Sequence, residues 1–308
     1  MTTGIMAGFG TALMMFALPV MVLFWMYLKG MKQGFNALIG VCVYFNFYAL
    51  IFTVVIIGFG SNYIPALKTV LSYPAGMAFF YAVIGGICCE FGRYLGLRFG
   101  LGEKHRSIDA IGLGIGYGFA ANIPYVRNIL MNMAVIRLVK SSVSSLGESG
   151  FIDQMVENGI AKESAEEMLE LVNSLNFSHS VMYCIQIIAT YCFAIALSLL
   201  VLGVLRKNLL FENMPFLCVW IAAAAHILTD GVPILMQQML TDANTNYYIA
   251  MYLILVGAGA IWLIRRAFLK YADDPYDAEE GGKTIKKKKI KTPQQAGTIS
   301  ANAQRRAR

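Results

Sequence analysis

Apolar runs recur along this chain, with short polar connections between them. The ~30 Å hydrocarbon core of a bilayer is crossed by about 20 apolar residues in a helix, and seven runs here approach that length. The pattern predicts an all-α, polytopic membrane helical bundle with about seven transmembrane helices. The predicted spans are residues 5–27, 36–58, 74–97, 108–126 with a continuation to 138, 179–205, 214–240 and 247–264. The first run lacks a basic leading region and a cleavage site, so we interpret it as a retained span.

Composition leads to the same class. Hydrophobic residues make up 57% of the 308 residues and charged residues only 14%, and the mean hydropathy is +0.59. A soluble domain carries about 25% charged residues. We therefore expect a multi-pass protein of the cell membrane, in contact with membrane lipid.

The positive charges alternate between connections, which predicts an orientation. Lys and Arg mark cytoplasmic connections. They follow spans one, three, five and seven, at Lys29 and Lys32, at Arg98, Lys104 and Arg106, at Arg206 and Lys207, and at Arg265 and Arg266. We therefore predict an N-out, C-in topology.

The predicted organisation is a transmembrane bundle over residues 1–270, followed by a disordered, basic, cytoplasmic tail over residues 271–308. Lysines beside a span are attracted to anionic lipid, and no fold behind this tail suggests nucleic-acid binding, so none is expected. An acidic loop at 141–177 is predicted to face outward. Within it, Ser164 and Glu167 predict a capping box that starts a helix. That helix could lie on the lipid interface, close over the bundle, or pack on neighbouring loops.

Four ionisable side chains stand inside predicted spans: Glu90 and Arg93 in the third, His226 and Asp230 in the sixth. Such groups cost several kcal/mol in a bilayer and usually face the bundle interior. Each pair has a helical spacing of three or four residues and so shares one helix face. We predict that the four converge on one cavity as catalytic candidates. Two simpler interpretations stay open: an intrahelical ion pair with Arg93 reaching the interface, and helix-to-helix hydrogen bonding by His226 and Asp230.

These polar positions share a similar depth. Glu90 lies about eight residues before the next basic connection, which is roughly 12 Å from the cytoplasmic boundary at 1.5 Å per residue. His226 in span six and Tyr117 in span four lie comparably deep. The sequence therefore predicts a polar centre on the cytoplasmic side of the membrane midplane.

Span four has a glycine-rich segment over residues 112–118. Alternating glycines let another backbone approach, which suits tight helix packing or a ligand cleft. Asn122 and Pro124 follow, and we predict that they interrupt this helix and free a backbone carbonyl that a cavity or Asn122 could satisfy.

The order of short motifs resembles that of the YhfC family of intramembrane peptidases, distant relatives of the CAAX prenyl endopeptidases. The motifs are Cys89-Glu90-Phe91-Gly92-Arg93-Tyr94, Gly114-Ile115-Gly116-Tyr117-Gly118-Phe119, Ala194-Ile195-Ala196-Leu197-Ser198 and His226-Ile227-Leu228-Thr229-Asp230. The resemblance covers most of the membrane region but not the tail. It implies hydrolysis of a peptide bond by water that glutamate and histidine activate.

Some positions match the family pattern and others depart from it. The matching residues are Glu90, Arg93, His226 and Asp230. Cys89 stands where the pattern leads with glutamate, and Tyr117 and Ala194 stand where it has histidines. These departures remove the groups that the resemblance assigns to water activation. We assign Cys89, Tyr117 and Asn122 to substrate binding.

Three functions are therefore considered. The first is a catalytically degraded family member, a pseudoenzyme that binds a membrane peptide or partner helix in a polar cleft. The second is an active intramembrane endopeptidase that uses Glu90 and His226. The third is a small ion- or proton-coupled transporter. No metal site and no cofactor is expected, because a lone histidine with two carboxylates is a weak metal-binding set.

Overall fold

A computed structural model of the chain describes residues 2–101, 106–175, 177–206, 214, 216–240 and 245–271. Within those residues the regular structure is entirely helical. The helices are α1 (Thr2–Leu28), α2 (Gly34–Tyr63), α3 (Pro65–Ser72), α4 (Pro74–Gly100), α5 (Ser107–Glu157), α6 (Lys162–Ser174), α7 (Phe177–Arg206), α8 (Leu217–Met239) and α9 (Thr245–Tyr271). π-Helical turns occur at Tyr44–Phe59 in α2 and at Tyr81–Gly85 and Gly96–Gly100 in α4.

Seven of the described helices are long and apolar enough to cross a membrane: α1, α2, α4, α5, α7, α8 and α9. The predicted all-α bundle with about seven spans is therefore confirmed. The assignment of its two faces to the two sides of the membrane stays a prediction. Residues 272–308 of the predicted tail lie outside the described residues.

Helix α5 differs from the prediction that residues 122–124 interrupt it. The helix continues through Pro124 and breaks instead at Gly147, where φ is +75°. A proline inside a membrane helix is tolerated when its neighbours satisfy the freed backbone groups, and α7 lies beside this part of α5, where Asn122 Nδ2 donates to the Ile187 carbonyl. A positive φ is open to glycine at little steric cost, so the chain bends at Gly147.

The predicted outward loop is mostly helical, and its capping box is wrong. Helix α6 begins at Lys162 after Ala161, which provides no side-chain cap. Ser164 consequently lies inside the first turn and not at the helix boundary. Ala165 and Val172 are buried against the last part of α5 around Phe151. Of the alternatives for this helix, the structure favours packing on its neighbour.

Glycines bring α2, α5 and α7 into direct backbone contact. A Cβ on Gly116 would collide with the carbonyl group of Ala37 in α2, and one on Gly114 would collide with the backbone of Ile195 in α7. The glycine-rich segment of α5 is thus used for tight helix packing. This packing fixes the register of the face of α5 that carries Tyr117.

A polar cluster joins the first turns of α2 and α5. Asp109 is 3% exposed and accepts hydrogen bonds from Asn36 Nδ2 at 2.9 Å, from Gln33 Nε2 at 3.2 Å and from Arg106 Nε at 2.9 Å. A buried carboxylate needs such partners to offset its lost hydration. The cluster therefore anchors α2 to α5 at one end of the bundle.

An apolar cluster fills the bundle between this polar end and the candidate site. Its members include Leu97 of α4, Leu113 of α5, Leu197 of α7 and Ala222 of α8, each at most 1% exposed. Each of them lies about one helical turn from a candidate site position or its neighbour. The candidate site therefore lies next to a packed apolar cluster.

Candidate functional site

The centre of the site is a contact between α4 and α8. His226 Nδ1 lies 2.7 Å from Glu90 Oε1, a hydrogen-bond distance, and both side chains are buried. Helices α4 and α8 pack closely here because Gly86, one turn from Glu90, faces Ile227 and the Cβ of His226. The structure therefore brings together the two residues that the sequence placed on separate spans.

The two remaining charged candidates lie on either side of this contact. Arg93 Nη1 is 3.2 Å from Glu90 Oε2, and Asp230 Oδ2 is 3.3 Å from His226 Nε2. Glu90 thus has one oxygen beside the imidazole and the other beside the guanidinium. Arg93 is fully buried, so it does not extend to a membrane interface as one simpler interpretation proposed.

The guanidinium of Arg93 has hydrogen-bonding capacity left over. Its Cζ lies 4.3 Å from the ring centroid of Tyr117 on α5. Its Nε, Nη1 and Nη2 find no hydrogen-bond acceptor among the described residues, although Nη1 is within ion-pair distance of Glu90. Unpaired buried donors cost about 1–3 kcal/mol or more when charged. A ligand that accepts hydrogen bonds would recover that energy.

These groups border a cavity of about 400 Å³ inside the bundle. Arg93, Tyr117, His226 and Asp230 line it, whereas Glu90 does not. The other lining residues are Tyr44, Tyr48, Ala121, Pro124, Tyr125, Gln186, Ala189, Thr190, Phe193, Ala194, Thr229, Pro233, Ile234, Gln237 and Leu253. The wall is therefore a mixture of aromatic, hydroxyl, amide and charged groups, typical of a binding pocket with few orienting polar atoms.

Two of the residues assigned to substrate binding lie away from the cavity wall. Cys89 is buried in a cluster with Tyr44 and Tyr117. Asn122 is also buried, and its Nδ2 donates to the Ile187 carbonyl at 3.3 Å. Only Tyr117 of that group lines the cavity.

Several lining residues were not singled out from the sequence. Gln186 and Gln237 are amides inside apolar runs, and that departure was a usable signal. Tyr44 and Tyr48 are four residues apart on α2, but from the sequence such an aromatic pair fits a lipid-facing surface as well as a cavity wall. Their place in the wall follows from the packing of α2 on α5.

The donor set does not fit a catalytic zinc ion. Such an ion needs about three protein ligands that converge on one point at roughly 2 Å. Glu90 lies beside Nδ1 of His226 and Asp230 beside Nε2, so the carboxylates stand on different edges of the ring. Among the described residues, no group of three or more His, Cys, Asp or Glu side chains could hold a metal ion.

Together the fold and the site define a multi-pass membrane protein with a polar cavity enclosed by its helices. A sequence profile of the YhfC intramembrane metalloprotease family matches residues 14–268. The chain therefore belongs to the YhfC intramembrane metalloprotease family. No curated protein and no solved structure matched the chain.

Proposed function

We propose that this protein is a non-hydrolytic member of its family, which binds a membrane peptide or a segment of a partner protein in the polar cavity. The support is that the neighbouring residues Glu90 and Arg93 are placed differently relative to the cavity. Glu90 is enclosed behind the wall, with one oxygen beside His226 and the other beside Arg93. Arg93 is a lining residue of the cavity, and its guanidinium has donors without an acceptor among the described residues.

The position of Glu90 carries this proposal. A carboxylate that activates water must come within hydrogen-bond reach of that water. Glu90 is 0% exposed and does not line the cavity. It is better placed to orient His226 and to balance the charge of Arg93 than to deprotonate a water molecule beside a substrate.

A specific observation supports a second candidate function, peptide hydrolysis. His226 lines the cavity with Asp230 near its Nε2, and Glu90 holds the opposite ring nitrogen. A carboxylate that orients an imidazole is a recurring arrangement for general-base catalysis. The neighbouring Arg93 could stabilise a developing oxyanion. Cleavage of a transmembrane peptide library that is lost in His226→Ala and in Asp230→Asn would favour this candidate.

Transport receives less support from the structure. Leu97, Leu113 and Leu197 lie one helical turn from Arg93, Tyr117 and Ala194 and are buried in a packed apolar cluster. A conduction path needs polar or water-filled space through the bundle, and the described residues supply an apolar plug there.

Site-directed photocrosslinking in native membranes tests the binding proposal. A photoreactive benzophenone amino acid at Thr229 would face the cavity, and the same residue at Leu228, 59% exposed, would face outward. We expect a discrete peptide or protein adduct at position 229 that is absent at position 228. Identical adduct patterns at the two positions, or lipid adducts alone, would contradict the proposal.

A further inference from the structure

The charged side chains that line the cavity differ in how accessible they are. The side chain of Arg93 is 0% exposed and lies 3.2 Å from Glu90, so its charge already has a buried partner. The side chain of His226 is 9% exposed, whereas that of Asp230 is 44% exposed. Both His226 and Asp230 line the cavity. A molecule that enters the cavity therefore meets a carboxylate as its most accessible charged group.

The Asp230 carboxylate is only partly balanced by its surroundings. Its Oδ2 lies 3.3 Å from His226 Nε2, and its Oδ1 makes no hydrogen bond within the described part of the chain. The same imidazole also serves Glu90 through Nδ1. With a neutral imidazole, the two carboxylates and the Arg93 guanidinium leave one negative charge. Charges inside a protein need a partner, and a single cationic ligand would supply it.

Aromatic rings provide the second component of a cation site. Tyr44, Tyr48 and Tyr125 line the cavity. All three interact electrostatically with Asp230, so the carboxylate and these rings border the same part of the cavity. The face of an aromatic ring attracts an ammonium group through its quadrupole. The wall thus combines a carboxylate with several rings, an arrangement suited to an organic cation.

The remaining wall favours an organic ammonium group over a metal cation. Calcium takes six to eight oxygen ligands, and among the described residues no group of three or more His, Cys, Asp or Glu side chains could hold a metal ion. A primary ammonium group instead has three N–H donors, and the hydroxyl groups of Thr190 and Thr229 can accept from it. Ile234 and Leu253 add apolar surface, which suits an alkyl chain.

We propose that the cavity binds an alkylammonium group, with its nitrogen at Asp230 beside the rings of Tyr44, Tyr48 and Tyr125. A lysine side chain of the bound segment and a free alkylamine share this chemistry. With a lysine as the source, the inference rests on the proposed binding function and specifies which segment is recognised. With a free amine, it adds a second ligand to the cavity. Asp230 is the residue that selects for positive charge in both cases.

Equilibrium binding of n-hexylammonium to the full-length protein in lipid nanodiscs tests the inference. Empty nanodiscs of the same lipid are the blank, because an alkylammonium ion also partitions into lipid. The matched neutral probe is 1-hexanol, and potassium ions are the inorganic competitor. We expect saturable binding of hexylammonium that is at least about tenfold tighter than binding of 1-hexanol, because charge-assisted hydrogen bonds are the stronger ones. Potassium ions should not displace it.

Variants of the wall identify the residues that hold the ammonium group. Asp230→Asn should weaken hexylammonium binding at least about tenfold, and Tyr48→Leu should weaken it several-fold. Leu228→Ala, at a position that is 59% exposed, is the matched control and should bind like the wild type. Circular dichroism shows whether each variant keeps its helices, and the comparison of the two probes on the wild type needs no variant. Equal affinity for the two probes, displacement by potassium, or full binding by a folded Asp230→Asn variant would overturn the inference.

A pair of transmembrane peptides separates the two sources of the ammonium group. One leucine-rich peptide carries a lysine at its middle, and the other carries norleucine there, which keeps the carbon chain without the charge. Displacement of hexylammonium by the lysine peptide alone assigns the site to a lysine side chain. Equal displacement by the two peptides, or by neither, assigns it to a free amine.

The two proposals can fail separately. A protein adduct at position 229 without hexylammonium binding would reject the ammonium site and leave the binding function standing. Hexylammonium binding without a protein adduct would reject the binding function and retain the ammonium site for a free amine. Failure of both measurements would reject both proposals.

Discussion

Neutralising Glu90 should destabilise the protein through Arg93. In Glu90→Gln the shape of the side chain is kept, but the fully buried guanidinium loses its carboxylate 3.2 Å away. Removing one partner of a buried ion pair costs about 3–5 kcal/mol, because the other charge is left uncompensated. The variant Arg93→Met should cost less, since Glu90 keeps His226 at 2.7 Å. The double variant has no guanidinium that lacks a carboxylate. Its loss in the free energy of unfolding should therefore be about 2 kcal/mol smaller than the sum of the losses in the two single variants.

A double-mutant cycle measures this coupling. The free energy of unfolding of each variant is obtained by titrating sodium dodecyl sulfate into mixed micelles and following helix content by circular dichroism. Glu163→Gln, on the exposed face of α6, is the control and should change stability by less than about 0.5 kcal/mol. If the two single losses add to within about 0.5 kcal/mol of the double loss, Glu90 and Arg93 do not interact as described.

Three further changes test the packing around the site. Gly116→Ala should lower the free energy of unfolding by about 1–3 kcal/mol, because the added methyl group overpacks against Ala37. The control Gly259→Ala has open space around it and should be neutral or slightly stabilising. Equal melting temperatures of the two variants would refute the α2–α5 contact. Asp109→Asn should lower the free energy of unfolding by about 1.5–3 kcal/mol, because it weakens charged hydrogen bonds. Glu166→Gln, in an exposed pair with Lys162 at 3.7 Å, should lower it by less than ~1 kcal/mol. Chemical denaturation measures both losses, and equal losses would count against the buried cluster. Gly147→Ala should cost about 1–3 kcal/mol from backbone strain, and an unchanged melting temperature would place the break in α5 elsewhere.

Some of this architecture follows from the sequence by direct physical argument. Apolar length predicts the spans, because a helix must cover the hydrocarbon core. The cost of charge in that core predicts that Glu90 and Arg93 turn inward. Helical spacing then predicts that His226 and Asp230 share a face, and the 2.7 Å contact between Glu90 and His226 shows where the two faces meet.

Other features are invisible to such reasoning. Leu97 in the apolar cluster is 0% exposed and Leu50 is 51% exposed, yet both are leucines in apolar runs. Lipid is as apolar as a protein core, so hydropathy does not separate inward from outward positions in a membrane helix. The break in α5 falls at Gly147 and not at Pro124, because a membrane helix tolerates a proline whose freed backbone groups are satisfied, whereas a positive φ favours glycine.

The central claim is that the enclosed cavity binds a membrane peptide or partner segment without cutting it. The most direct measurement is to incubate the purified protein in nanodiscs with a transmembrane peptide library, with and without added zinc, and to determine the masses of the recovered peptides by mass spectrometry. The account predicts that bound peptides are recovered intact under both conditions. Recovery of shorter fragments that disappear in His226→Ala would contradict it.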